Sequence, residues 1–366
     1  MLGRRALSNR VCKNVRMSRD RQAPGATPTL EHVAKVAGVS RATVSRVING
    51  IRNVDPQIQE VVRAAVAQTG YVPNQAARSL VTRRTNSVAL VVSEAEHRTF
   101  DDPFLGRIFT DPFFGRLVSG IMGVLRPRGV TMVLMLAEND AARTQLIGYL
   151  KQGHVDGVIL ISSNVDDPLP GLLTDAGLPA VLSQRPVKPL PISYVDAAQS
   201  AGAKLAAERL VARGCRRVAT ISGPLDMPAS QDRLAGFRDT MARHGHAYVP
   251  SVEGNFTQET GERAMLQLLE QQPDIDGVFV ANDLMALGAV LALHDAGRRV
   301  PEDVAVVGFD DSNAALMSRP PLTTIRQPLE DMAAQMARLL LARIDDPESK
   351  PTSVIFEPTL VVRESA

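Results

Sequence analysis

From Asn86 onward, short runs of β-branched and aliphatic residues take turns with longer amphipathic segments, and few architectures satisfy that rhythm. SVALVV, TMVLML, GVILI and PAVLS read as buried parallel strands, and RRVATIS, DGVFVA and DVAVVGF repeat the pattern later. Between them, SAGAKLAAERLVARG and NDLMALGAVLALHDAG read as helices stopped by glycine. Strands alternating with helices call for α/β architecture with right-handed crossovers. Seven such runs between residues 86 and 366 divide better into two similar lobes than into one large sheet. A chain of 366 residues leaves room for a further domain ahead of them.

The leading segment differs in charge. Residues 1–84 hold 15 Lys/Arg against 4 Asp/Glu, whereas residues 85–366 hold 26 against 35, so a net charge of +2 conceals a basic head on an acidic body. That asymmetry fits either a polyanion-binding module or a merely solvated basic tail. No apolar stretch approaches the roughly 20 residues that span a bilayer. MLGRRALSNRVCKNVR lacks the apolar run of a secretory signal. Two cysteines, Cys12 and Cys215, cannot form a disulfide framework or a structural zinc site, so a reducing, cytoplasmic setting is expected, with no metal and no cofactor.

Local signals in the head predict three helices. Thr29 is placed to cap a helix from Leu30 to about Ala37, with Val33, Ala34 and Ala37 inward. Gly38 breaks it, and Ser40 caps a second helix, Arg41 to about Ile48, with Val44, Val47 and Ile48 facing the first. Asp55-Pro56 starts a third as N-cap and N1, and Gly70 ends it. This is a helix-turn-helix unit, with a purely structural helical hairpin as the alternative. The next stretch, VPNQAARSL, favours helix but is too short to stand alone in water, which suits a segment that folds only against a partner and DNA.

The segments TLEHVAKVAGVSRATVSRVING and GYVPNQAARSL, in this order and spacing, resemble the LacI/GalR family of bacterial transcription regulators, and the resemblance runs from residue 28 to about 363. It implies a lambda-repressor-like, all-α head (28–72), a hinge helix and linker (73–85), and a two-lobed periplasmic-binding-protein-like body (86–366) for effector binding and dimerisation. The lobes are expected at about 86–195 with 327–352, and 196–326 with 353–366. Residues 1–27 are expected to be a basic disordered extension. By position, Arg41 and Ala42 open the recognition helix, and Ser45, Arg46 and Asn49 follow on its DNA side. Arginine suits guanine O6 and N7, although Arg46 fits a phosphate contact as well. Thr29, Ser40, Thr43, Ser45 and Asn49 offer short donors for phosphates. In the hinge, Asn74 and Ala77 fall on the DNA-binding positions, and Leu80 matches a leucine wedged into the central base step, or packs in a core.

Effector candidates follow from the same resemblance: Phe113, Phe114, Gln184, Arg233, Phe256, Asn282, Asp283, Asp310 and Gln327. A carboxylate, a forked arginine and an amide suit a polyhydroxylated ligand, and Phe256 suits stacking on a sugar. Asn282 and Asp283 also read as helix caps, and Phe256 as core. One departure is an insert, SEAEHRTFDDPFLGRIFT, before Asp111-Pro112-Phe113-Phe114, containing a near copy at Asp102-Pro103-Phe104. The apolar face Leu117, Val118, Ile121 and Leu125 places the helix after the second copy. The insert, with Glu94, Arg98 and Phe100, resembles the loop of cello-oligosaccharide-type regulators, and reads either as an extended cleft wall or as a tolerated duplication.

No Gly-x-Ser-x-Gly elbow, phosphate loop or metal-ligand spacing supports an enzyme. A transport-binding protein would share the body but have no use for the head. The expected function is a DNA-binding repressor controlled by a sugar or oligosaccharide, with a nucleobase or nucleoside as the rival effector. The chain closes on VVRESA without leucine heptads, so a homodimer on palindromic double-stranded operator DNA is expected. Translation is expected to start at Met1 or at Met17.

Overall fold

The computed structural model describes residues 28–50, 54–72, 84–93, 110–162 and 164–366. The basic extension, the hinge positions Asn74, Ala77 and Leu80, and the insert up to residue 109 lie outside the described residues. The chain divides into two compact units, up to Arg83 and from Arg84 to Ala366.

In the head, α1 (Leu30–Ala37), α2 (Arg41–Ile48) and α3 (Pro56–Thr69) start and stop where the local signals placed them. Thr29, Ser40 and Asp55 each accept a hydrogen bond from a backbone N–H of the first turn. Gly38 takes the left-handed conformation, φ 66°, that turns α1 into α2. Val33, Ala34, Ala37, Val44, Val62 and Ala65 form the core where the three helices meet.

The body has two lobes, each a parallel sheet covered by helices. The first sheet contains β1 (Ser87–Ser93), β2 (Thr131–Ala137), β3 (Gly157–Ser162), β4 (Ala180–Leu182), β5 (Ser193–Ala197) and β11 (Ser353–Phe356), in the order β11-β5-β4-β3-β1-β2. The second contains β6 (Val218–Ser222), β7 (Ser251–Glu253), β8 (Gly277–Val280), β9 (Ala305–Asp310), β10 (Thr323–Arg326) and β12 (Thr359–Val361), in the order β12-β10-β9-β8-β6-β7. Only β12 runs antiparallel among the described pairs. Both sheets place their first strand inside and their second at the edge, so each has a topological switch point, β1/β3 and β6/β8, where α/β folds open a crevice.

The helices are α4 (Pro112–Leu125), α5 (Asp140–Lys151), α6 (Leu169–Asp175), α7 (Gln199–Ala212), α8 (Pro228–Arg243), α9 (Gln258–Gln271), α10 (Asp283–Asp295), α11 (Asn313–Met317) and α12 (Leu329–Asp345). Leu117, Ile121 and Leu125 of α4 pack with Met332, Met336 and Leu340 of α12 on the first sheet, as the apolar face after the second Asp-Pro-Phe copy required. The lobe boundaries need one correction. Residues 353–356 were expected in the second lobe, but they pair in parallel with β5 of the first, and only 359 onward joins the second. An alternating strand at a sheet edge carries no mark of which sheet it borders. The chain therefore passes between lobes at about residue 198, at 327–328 and at 357–358.

Candidate functional site

On the head, Ser40, Arg41, Ala42 and Arg46 are exposed, and Thr43, Ser45 and Asn49 are half-buried, while Val44 is sealed inside. Helical spacing puts Arg41, Ala42, Ser45, Arg46 and Asn49 on one stripe opposite the core. The polar members hold one another: the Ser40 and Thr43 hydroxyls are 2.9 Å apart, and Asn49 Nδ2 donates to Ser45 Oγ at 3.3 Å. Arg41 Nε lies 3.0 Å from Glu31 with both side chains mostly in solvent. Such a pair is screened by water and leaves the guanidinium available to another acceptor.

In the body, the cleft residues stand at carboxyl ends of strands and on the lobe crossings. Asp310 ends β9, Asn282 follows β8, and Gln327 sits on the crossing after β10. Arg233, on α8, is 6% exposed, and its guanidinium lies 3.7 Å from the centre of the Phe309 ring. Its Nε donates to Gln199 Oε1 at 2.8 Å, one Nη donates to the Ala281 carbonyl at 2.5 Å, and Asp310 Oδ1 is 3.8 Å away. Gln327 Nε2 donates to that same Asp310 oxygen at 2.7 Å. Burial lowers the affinity of Arg233 for its proton, and the carboxylates of Asp310 and Asp196 oppose the shift. Burial also raises the Asp310 carboxyl above the usual range, against the pull of Arg233 and the Gln327 bond.

Several members of this cluster were not singled out in the sequence. Asp111 caps α4 through a bond from the Phe113 N–H at 2.9 Å. Burial pushes its carboxyl up to about 7; Asp310 adds to the rise, while the Phe113 bond and Arg233 counter it. Asp196 and Gln199, on the first crossing, join Arg233 to the first lobe, with Gln199 Nε2 3.4 Å from Asp196. Arg116 of α4 makes a two-pronged pair with Glu330 at 2.7 and 2.8 Å and donates to the Asp310 carbonyl at 2.8 Å. The Asp-Pro-Phe-Phe signal marked Asp111 only as a helix start. Nothing local marks Gln199 and Arg116, because Arg233, Asp310 and Glu330 lie tens to hundreds of residues away from them.

The remaining candidates divide. Asp283 is fully buried, and its two oxygens accept from Ser312 N–H at 2.7 Å and Thr324 Oγ1 at 2.6 Å. Its expected place among the direct contacts is corrected to a brace beneath Asp310, because no face of it is left for a ligand. Asn282 spends its amide on capping α10, accepting from Met285 N–H at 2.9 Å, and on the Phe256 carbonyl at 3.0 Å. That bond holds Phe256 in a left-handed backbone, φ 70°, with its ring over Gly223, where a β-carbon would lie 2.2 Å from the ring. Phe113 and Phe114 pack edge to face, 5.4 Å apart, against the first lobe's core. Gln184 lines a pocket of the first lobe whose lining includes neither Arg233, Asp310 nor Gln327.

The profile described as "Bacterial regulatory proteins, lacI family" matches residues 29–74, and "Periplasmic binding protein-like domain" matches 207–366. HTH-type transcriptional regulator CelR of Thermobifida fusca is 47% identical over 342 residues, covering 92% of this chain and 98% of that protein. The chain belongs to the LacI family. HTH-type transcriptional repressor PurR of Klebsiella pneumoniae is 32% identical over 344 residues, covering 92% of this chain and 96% of that one. Among solved structures, a transcriptional regulator CelR–cellobiose complex is 45% identical with a TM-score of 0.72, covering 93% of this chain and 100% of that chain. A lac repressor dimer bound to operator and the anti-inducer ONPF is 28% identical with a TM-score of 0.80, covering 93% and 99%. As a LacI-family member the protein is a DNA-binding transcription regulator with a helix-turn-helix head and a periplasmic-binding-protein-like body. No helix among the described residues is long and apolar enough to cross a membrane.

Proposed function

We propose that the protein acts in the cytoplasm as a homodimeric repressor that grips a palindromic operator and releases it when a cellobiose-type sugar enters the cleft. The observation carrying this reading is the cluster of Arg233, Asp310 and Gln327. A forked cation, a carboxylate and an amide within bonding reach of one another match the donors and acceptors of adjacent sugar hydroxyls. The 47% identity to CelR and the likeness to a CelR–cellobiose complex support a sugar over the nucleobase that kinship with PurR would favour. The effector acts only through unequal affinity for the two states of the body, and the marginal hinge segment amplifies a small displacement into lost DNA contacts.

On the DNA side, Arg41 and Arg46 reach base edges or phosphates from α2, and Ser40, Thr43 and Asn49 set the register. Arg41→Ala should cost about 1–3 kcal/mol at one guanine position and flatten preference there, read by anisotropy with a set of single-base operator variants. The central test titrates labelled operator with the full chain, with and without cellobiose, and separately with hypoxanthine. Release by cellobiose alone supports the reading; release by the purine alone overturns it. Light scattering of the free protein should give a dimer mass.

A further inference from the structure

Arg41 does not stand alone on the exposed stripe of α2. Its Nε lies 3.0 Å from Glu31 Oε1, so the first turn of α1 meets the first turn of α2 through this pair. Glu31 is the second residue of α1, where the positive end of a helix favours an anion. Its own backbone N–H holds its carboxyl below the usual range; slight desolvation opposes the shift, and Arg41 and the Thr29 hydroxyl add to it. The carboxylate is therefore charged at neutral pH and is positioned by the start of α1, not by the arginine alone.

The pairing has two consequences for what Arg41 binds. A guanidinium carries its N–H donors in a rigid fork. With Nε turned to Glu31, the two Nη groups remain, and their outward N–H bonds match the O6 and N7 acceptors of guanine. The second consequence is electrostatic. A phosphate is drawn to an arginine by charge, whatever the sequence around it. A carboxylate 3.0 Å from the guanidinium cancels much of that pull and itself repels the phosphate. A guanine edge is neutral, and its two bonds depend on donor geometry more than on net charge. Water screens the pair in the free head, where both side chains are mostly exposed; docking on DNA removes that water and strengthens it. Glu31 thus opposes binding to DNA in general and favours one base.

We propose that Glu31 determines operator specificity without touching a base: it orients Arg41 toward guanine and withholds it from phosphate. The proposal rests on the reading above that α2 meets DNA through Arg41. The test uses the full chain. An operator is selected from a randomised duplex pool, and anisotropy at one salt concentration gives affinities for that operator, its single-base variants and a scrambled duplex. Arg41→Ala identifies the position where the arginine reads guanine. Glu31→Ala should lower the preference for guanine at that same position about 3- to 10-fold, while affinity for the scrambled duplex rises about 2- to 5-fold. With Arg41→Ala already present, Glu31→Ala should not change that preference further, because the arginine it acts through is gone. A merely structural residue would weaken every duplex together and strengthen none. An equal fall for operator and scrambled duplex, or an unchanged preference while Arg41→Ala still relaxes one position, overturns the role of Glu31 and leaves the reading of α2 standing. Arg41→Ala relaxing no position overturns both. Melting curves verify folding; should Glu31→Ala not fold, Glu31→Gln, which keeps the shape and loses the charge, decides by the same two readouts.

Discussion

Asp310 is held in a backbone that few residues tolerate, φ 106°, at the end of a buried strand, with one oxygen shared by Gln327 and, more distantly, Arg233. Asparagine endures positive φ better than most residues, so Asp310→Asn removes the charge with little added strain. A charge-assisted bond is worth about 1.5–3 kcal/mol, so effector affinity should fall about 10- to 100-fold. Operator affinity without effector should stay at the wild-type value; its loss would make Asp310 a folding residue. Asp111 bears on pH. Its carboxyl rises from 3.8 to about 7 on folding, so between those values the folded chain holds a proton that the unfolded chain has released. Its contribution to stability is therefore greatest below about pH 4 and falls as pH climbs to about 7. Burial raises Asp196, Asp283 and Asp310 too, so the comparison with Asp111→Asn, which still caps α4, isolates its share. Melting temperature should drop less steeply from pH 5 to 7 in the variant; parallel curves would refute the assignment.

At the scale of elements, α9 and α10 lie close together, and glycine is the reason. A β-carbon on Gly288 would lie 2.0 Å from the Gln258 carbonyl oxygen, and one on Gly261 would lie 2.1 Å from that of Met285. Neither contact can be relieved by turning a side chain. Gly288→Ala should therefore destabilise the body by about 1–3 kcal/mol despite the better helix propensity of alanine, seen as a lower urea midpoint for the body with the head's helices unaffected. Helix boundaries were legible at this scale: Thr29, Ser40 and Asp55 all cap where expected, because a cap bonds only two or three residues ahead. The short strands β5, β7, β10, β11 and β12 were not. Three to five residues give too little periodicity, and 353–356 could be assigned to a sheet only by its partner, β5.

Across the whole body, α12 runs between two consequential places. Glu330, in its first turn, pairs with Arg116 beside the Asp310 carbonyl; Ile344 and Asp345, at its end, bind Arg84, where the chain enters the body from the hinge segment. Its 17 residues span about 25 Å as a single packed rod. Arg84→Met should leave effector affinity near wild type but reduce the difference in operator affinity with and without cellobiose, a coupling typically of about 1–3 kcal/mol. Undiminished coupling would show that α12 does not carry the signal. What the sequence determined by itself was the alternation of the longer strands with helices, the three-helix head, the family and the charge contrast, since capping, periodicity and short motifs are written in neighbouring residues. Only the tertiary structure decided that Asp111, Asp196, Gln199, Arg233, Asp310 and Gln327 share one cluster while Asp283 lies sealed beneath it. Those contacts join residues up to about two hundred positions apart at the carboxyl ends of two sheets. Burial and charge at a site belong to the folded surroundings of each group, not to its neighbours in the chain.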